Sequence, residues 1–298
     1  MLNSYYSSKG TRGEIEHERA EEADKVSASI TELLEEETFA FTPGELARIH
    51  RRLFQGLFKF AGVYRTYNIS KKEWVLIDAS VLYNPFENIA ETLEYDFSEE
   101  RKYDYISASS DDSIRHIASF IAGVWQIHPF GEGNTRTTAV FLIKYLRSFG
   151  FHIDNELFAS HSWYFRNALV RANYSNREKG INPDSSFLIA FLRNLILGEH
   201  NELRNRYLHV DFPKANLSQS AESECSKSKS CTLNCTLEEL AVLNFLSDNP
   251  KATQKQVAAH IRKSERTAKS LTVKLQQDSL LERKNGRRDG YWEVKVQL

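Results

Sequence analysis

No stretch of the chain approaches the roughly 18 consecutive apolar residues of a membrane helix, so its 298 residues are expected to have no membrane partner. The opening run MLNSYYSSKGTRGEIEHERAEEADK lacks the apolar core of a signal peptide. Cysteine is scarce. The three cysteines, Cys225, Cys231 and Cys235, are odd in number and crowded into a polar stretch, which gives no disulfide framework. Their C-x5-C-x3-C spacing also lacks the fourth ligand of a structural zinc site. These absences point to a cytoplasmic protein. What the chain does contain is 41% hydrophobic and 12% aromatic residues, enough to exclude disorder throughout. The length suits one large domain and a small one.

The formal net charge is only −1, but it is unevenly spread. Residues 250–298 hold twelve Lys/Arg and five Asp/Glu, a net of +7 that leaves −8 for the rest. Such asymmetry suggests two parts with different partners. The break falls in the Ser-rich run KANLSQSAESECSKSKSCTLNC, which reads as a flexible linker. The expected division is an N-terminal helical segment (1–38), a main domain (39–213), a linker (214–235) and a small basic domain (236–298).

Before the linker the periodicity is helical. Residues 43–60 start with Pro43 after a capping Thr42, and Leu46, Ile49, Leu53 and Leu57 recur at helical spacing. Similar patterns cover 112–126, 137–148 and 186–197. The interruption is VYRTYNISKKEWVLI at 63–77, where β-branched and aromatic residues flank a polar SKKE, which predicts a hairpin with its turn at SKKE. After the linker, segments at 237–249, from Thr253 and from Ser264 read as helices. LERKNGRRDGYWEVKV then alternates as a ribbon. Helix, helix–turn–helix and ribbon together resemble a winged helix.

One segment carries the parts of a phosphoryl or nucleotidyl transfer site. His128-Pro129-Phe130-Gly131-Glu132-Gly133-Asn134-Thr135-Arg136 lies between two apolar helices. Gly131, Gly133 and Asn134 tolerate unusual backbone, and successive N–H groups at a helix N-terminus make an anion nest. Glu132 can hold a divalent cation and Arg136 can bridge phosphate oxygens. His128 can accept a proton near neutrality.

This string resembles the Fic family signature, His-x-Phe-x-(Asp/Glu)-Gly-Asn-Gly-Arg-x-x-Arg. His128, Phe130, Glu132, Gly133, Asn134 and Arg136 match, whereas Thr135 replaces the second glycine and Ala139 the second arginine. The resemblance covers about 39–198. It implies a mainly α fold, with a Fic-like helical core, a small β-hairpin flap and the appended winged helix-turn-helix domain. It also implies a protein adenylyltransferase that moves AMP from ATP, with Mg²⁺ on Glu132, to a Ser, Thr or Tyr hydroxyl of a protein target. His128 is then the catalytic base. Gly131, Glu132, Gly133, Asn134, Thr135 and Arg136 hold the phosphates, and Tyr164 and Asn173 contact the adenosine. Ile69, Ser70, Lys71 and Trp74 belong to a target-docking flap, and Thr31 with Glu35 to an inhibitory helix.

Because Doc kinases also lack the replaced glycine and arginine, γ-phosphate transfer stands as the alternative. A DNA-binding regulator with a vestigial Fic domain is the other. There Arg266, Lys269 and Lys274 of the third helix would contact DNA together with Arg283, Lys284, Arg287 and Arg288 of the ribbon. A homodimer through the same small domain is a further expectation.

Overall fold

The computed structural model describes residues 12–105, 107–212, 236–285 and 290–295. The cysteines, the linker, Arg287 and Arg288 lie outside the described residues. The architecture is mainly helical. Among the described residues eight α-helices precede the linker region: α1 (Arg12–Glu35), α2 (Pro43–Phe54), α3 (Ile89–Glu100), α4 (Ser110–Ile127), α5 (Asn134–Ser148), α6 (Glu156–Ser160), α7 (Ser162–Asn173) and α8 (Ser186–Leu197). Among the described residues no helix is long and apolar enough to cross a membrane.

Local rules explain most boundaries. Thr42 caps α2 by accepting from the Glu45 N–H at 3.2 Å, and Pro43 takes the first turn, where its missing donor costs nothing. This helix ends at Phe54, six residues short of the expected 43–60, because Gly56 turns the chain at φ +81°. Helix α4 is centrally placed, packing on α3, α5, α7 and α8. Its Ile114, Ile117, Ile121 and Trp125 are fully buried. An aromatic cluster of Phe41, Phe97, Phe120, Phe141 and Tyr145 joins α3, α4 and α5. At its edge the buried Glu100 carboxylate accepts from Tyr105, from Tyr145 at 2.5 Å and from His116 at 2.7 Å. A charge in that position is tolerable only because it is bonded on all sides.

The hairpin expected at 63–77 exists, but its register differs. SKKE is not the turn: it is strand β1 (Ser70–Glu73), paired antiparallel with β2 (Ala79–Leu82) so that Ser70 faces Leu82 and Glu73 faces Ala79. The turn is Trp74–Asp78, where Ile77 and Asp78 both adopt φ +55°. Glu73 explains the shift. Its side chain is only 2% exposed and pairs with Arg166 of α7 at 2.7 Å, which pulls a polar strand against the helical core.

Beyond the linker region lie α9 (Leu237–Asp248), α10 (Gln254–His260), α11 (Glu265–Gln277) and the antiparallel ribbon β3 (Leu281–Lys284) with β4 (Tyr291–Val294). Thr236–Glu239 and Thr253–Gln256 are full capping boxes. The Trp292 indole donates to Ala252 O at 3.0 Å, closing the ribbon on the helices. This unit touches the main body beyond the end of α5: a Cβ on Gly150 would sit 3.2 Å from Ile261 Cα, and the rings of His152 and His260 are 4.7 Å apart.

Candidate functional site

The glycine-containing segment 128–133 connects α4 to α5 and is shaped by close contacts. His128 terminates α4 in the left-handed region at φ +52°, a C-cap position that a non-glycine residue occupies only under local constraint. The constraint is visible on both ring faces and on the backbone. Tyr83 of the segment after β2 stacks on the imidazole at 3.8 Å, and Trp125 meets it edge-on. The His128 carbonyl accepts from Arg65 Nε at 2.8 Å.

The tautomer follows from chemistry. His128 Nδ1 lies 3.1 Å from Trp125 O. A carbonyl can only accept, so Nδ1 carries the proton and Nε2 the lone pair. Burial, followed by the charges of Lys71, Arg166 and Arg65, drives the imidazole well below its ordinary pKa. The ring is therefore neutral at pH 7 and able to take a proton at Nε2.

Arg65 is a residue that motif reading missed. It is 5% exposed, and its guanidinium donates to His128 O, Tyr67 O, Asn84 O and Ile127 O, while its backbone N–H donates to Pro129 O. One buried cation thus ties the end of α4, the loop and both approaches to the hairpin together. His50 was missed as well. Its Nδ1 accepts from Gly62 N, so Nε2 donates to Glu132 O at 3.0 Å, and its ring stacks on Phe130 at 3.8 Å. Burial lowers its pKa to about 4. The only signal for either residue was its place in α2 or in the irregular segment between α2 and β1.

Both glycines of the loop have close neighbours, and at Gly133 the absence of a side chain is required sterically. A Cβ on Gly133, which sits at φ +81°, would fall 2.4 Å from the Phe54 ring, and one on Gly131 would fall 2.7 Å from Tyr67 Oη. Asn134 was expected to hold phosphate, but its side chain is 4% exposed and is spent on the loop itself. Its Oδ1 accepts from Phe130 N and its Nδ2 donates to Phe130 O. Thr135, in place of a glycine, accepts from the Trp125 indole at 3.0 Å. The amides at the start of α5 remain the donors available to an anion.

Both charged side chains of the loop already have partners. Glu132 pairs with Lys71 of β1 at 3.1 Å. Arg136 lies over the Phe54 ring and pairs with Glu22 of α1 at 2.9 Å. The residues expected to inhibit lie on another face of α1. Thr31 is exposed and bonds only to Ser27 O one turn back, and Glu35 is exposed too. The stripe of α1 that faces the body carries Glu22, Val26 and Leu33. At 100° per residue, position 31 lies about 180° from position 22. The (Ser/Thr)-x-x-x-Glu spacing was matched on the solvent face. The apolar spacing of Val26, Ile30 and Leu33 was the signal that would have turned the helix the right way.

Tyr164, expected at the adenosine, is 2% exposed, donates to Phe187 O and stacks on Phe191, which places it in the packing of α7 on α8. Asn173 donates to Ala122 O and Leu169 O and lines an open cleft beside Tyr83 and Gln126. Ile69 and Ser70 lead into and begin β1, and Trp74, 46% exposed at the tip, rests on His209.

On the ribbon, Lys284 pairs with Glu282 and Glu293 and Arg283 covers the Trp292 ring, while Lys274 of α11 pairs with the buried Glu239. Of the expected DNA-contacting cations that are described, Arg266 and Lys269 of α11 are exposed, and no pairing involves them.

Residues 40–146, from the approach to α2 through α5 and including the loop, match the Fic/DOC family model. The chain carries a Fic/DOC family domain. The Fic fold recurs in solved structures. The N-terminal Fic domain of Bep8, a VirB-translocated effector from Bartonella sp. 1-1C, is 17% identical, with 61% of this chain and 85% of that one covered at a TM-score of 0.50. The N-terminal Fic domain of a Bartonella effector protein from Bartonella sp. AR 15-3 is likewise 17% identical, covering 61% and 82% at a TM-score of 0.50. At this identity the likeness is one of fold. None of the curated proteins matches the chain.

Among the described residues there is no cluster of three or more His, Cys, Asp or Glu side chains able to hold a metal ion alone. Glu132 offers one carboxylate, 45% exposed, in the loop that leads into α5. That donor set fits Mg²⁺, which characteristically binds through one or two carboxylates and completes its shell with substrate phosphates and water.

Proposed function

We propose that the protein transfers AMP from ATP to a hydroxyl side chain of a protein target. The observation that carries this reading is His128: a neutral imidazole, locked in the Nδ1–H tautomer, on the same loop as a helix N-terminus, a carboxylate and an arginine. In the proposed reaction Nε2 of His128 removes the proton from a target Ser, Thr or Tyr. The hydroxyl oxygen bonds to the α-phosphorus, and the bond to the β-phosphate bridging oxygen breaks, releasing pyrophosphate with that electron pair. The first amides of α5 and the Arg136 guanidinium stabilise the departing charge. Mg²⁺ held by Glu132 would neutralise phosphate charge when bound. The hairpin offers a strand edge on which an extended target segment can align by strand addition.

Glu22 gives this reading a resting state. Its carboxylate holds the arginine that the phosphates require, so ATP must compete with α1 for Arg136. Parallel incubations with α-labelled and γ-labelled ATP test the chemistry. Label on protein from the α-position alone is expected. Label from the γ-position alone would replace this reading with Doc-like phosphotransfer.

A further inference from the structure

Lys71 reaches from the hairpin to the loop. Its Nζ lies 3.1 and 3.3 Å from the two oxygens of Glu132. An ammonium shared between both oxygens of a carboxylate occupies the ground that a metal ion on that carboxylate would take. The strand that carries it is anchored at its other end, where the buried Glu73 is held by Arg166. Lys71 therefore ties β1 itself to the loop, beyond the backbone bonds by which Arg65 holds the approaches to the hairpin.

Two features suit this pair to exchange. The side chains are 28% and 45% exposed, and pairs this accessible are weakly held. Lysine is also a compact charge on a flexible stem, free to leave a carboxylate and donate to another oxygen without the planar geometry that arginine demands. A lysine serving only as a structural tether would be better buried.

We propose that Lys71 is a tethered counter-cation for Glu132. It neutralises the carboxylate while no nucleotide is present, a divalent ion arriving with nucleotide phosphates displaces it, and its departure frees β1 from the loop for target docking. This rests on the reading of Glu132 as the carboxylate that holds the metal.

The test uses the full chain, with Mn²⁺ plus AMP-PNP as probe and bound Mn²⁺ followed by electron paramagnetic resonance. Lys71→Met is expected to raise Mn²⁺ affinity about fivefold, the worth of a partly exposed ion pair, and Glu132→Gln to lower it. Amide hydrogen exchange gives an independent readout. In the wild type, exchange across residues 70–73 should quicken when the probe is added, whereas in Lys71→Met it should be fast beforehand. Unchanged or weaker Mn²⁺ binding in Lys71→Met, with Glu132→Gln still impaired, would overturn the counter-cation and leave the metal role standing. Mn²⁺ binding indifferent to Glu132→Gln would remove the metal role itself, and the counter-cation with it.

Discussion

At the scale of single residues, the site depends on groups that touch no substrate. Arg65 and Asn134 spend their hydrogen bonds on loop backbone, and Gly133 yields its side-chain volume to Phe54. Gly133→Ala would combine a left-handed backbone with a ring contact far inside van der Waals distance. It should destabilise the protein by about 2–4 kcal/mol, read from denaturant unfolding. His128→Ala removes the base together with the ring packed on Tyr83 and Trp125, so transfer, measured well below the variant's lowered Tm, should fall by about 10²–10⁴-fold. Near wild-type transfer in that variant would take His128 out of the mechanism.

The two neutral imidazoles also set a pH dependence. His50 titrates at about 4 in the fold and His128 well below its ordinary value, both through burial first, against roughly 6.5 in an unfolded chain. Folded values below unfolded ones mean that this stability is intact above pH ~6.5 and is lost as pH falls toward about 4. Tm should therefore drop between pH 7 and pH 5, and less steeply in His50→Asn than in the wild type. Equal slopes would exonerate His50.

At the scale of elements, α1 is held unevenly. Its C-terminal carbonyls are capped by cations from α5: the buried Lys144 donates to Leu33 O and Glu36 O at 2.8 Å, and Arg147 donates to Leu34 O. Glu36 adds pairs to Arg48 and Arg52 of α2. Toward the other end, Glu22 meets Arg136. The helix is thus bolted at one end and latched by an ion pair at the other. Glu22→Gln should release Arg136 and raise self-labelling from α-labelled ATP several-fold, while Glu35→Gly, on the solvent face, should change it little. If Glu35→Gly activates and Glu22→Gln does not, the latch is misassigned.

At the scale of the whole molecule, the C-terminal unit sits beyond the C-terminal end of α5, with Gly150 against Ile261. The proposed division into a catalytic and a basic domain carries a second proposal, duplex binding through α11. Lys263, Lys274, Lys284 and Lys295 are paired in the fold with Glu238, Glu239, Glu282 and Glu293. If Arg266 and Lys269 make the phosphate contacts, log Kobs for the full chain should fall with log salt at a slope near −2. Arg266→Ala with Lys269→Ala should abolish that dependence. Binding indifferent to salt would leave this face to a protein partner.

The residues by themselves determined whatever depends on neighbours in the chain. Capping threonines, apolar spacing and glycines fixed most helices within a few residues, and the string from His128 to Arg136, which departs from the signature at Thr135, announced both the loop and the Fic/DOC domain that carries it. Local chemistry is enough for this, because caps and turns are made within a few positions. Only the tertiary structure decided which face of α1 meets the loop, that SKKE is a strand and not a turn, and that Tyr164 is core. Each of those outcomes turns on a partner far along the chain, respectively Arg136, Arg166 and Phe187. An ion pair or ring contact that spans the fold leaves no periodicity in the sequence to read.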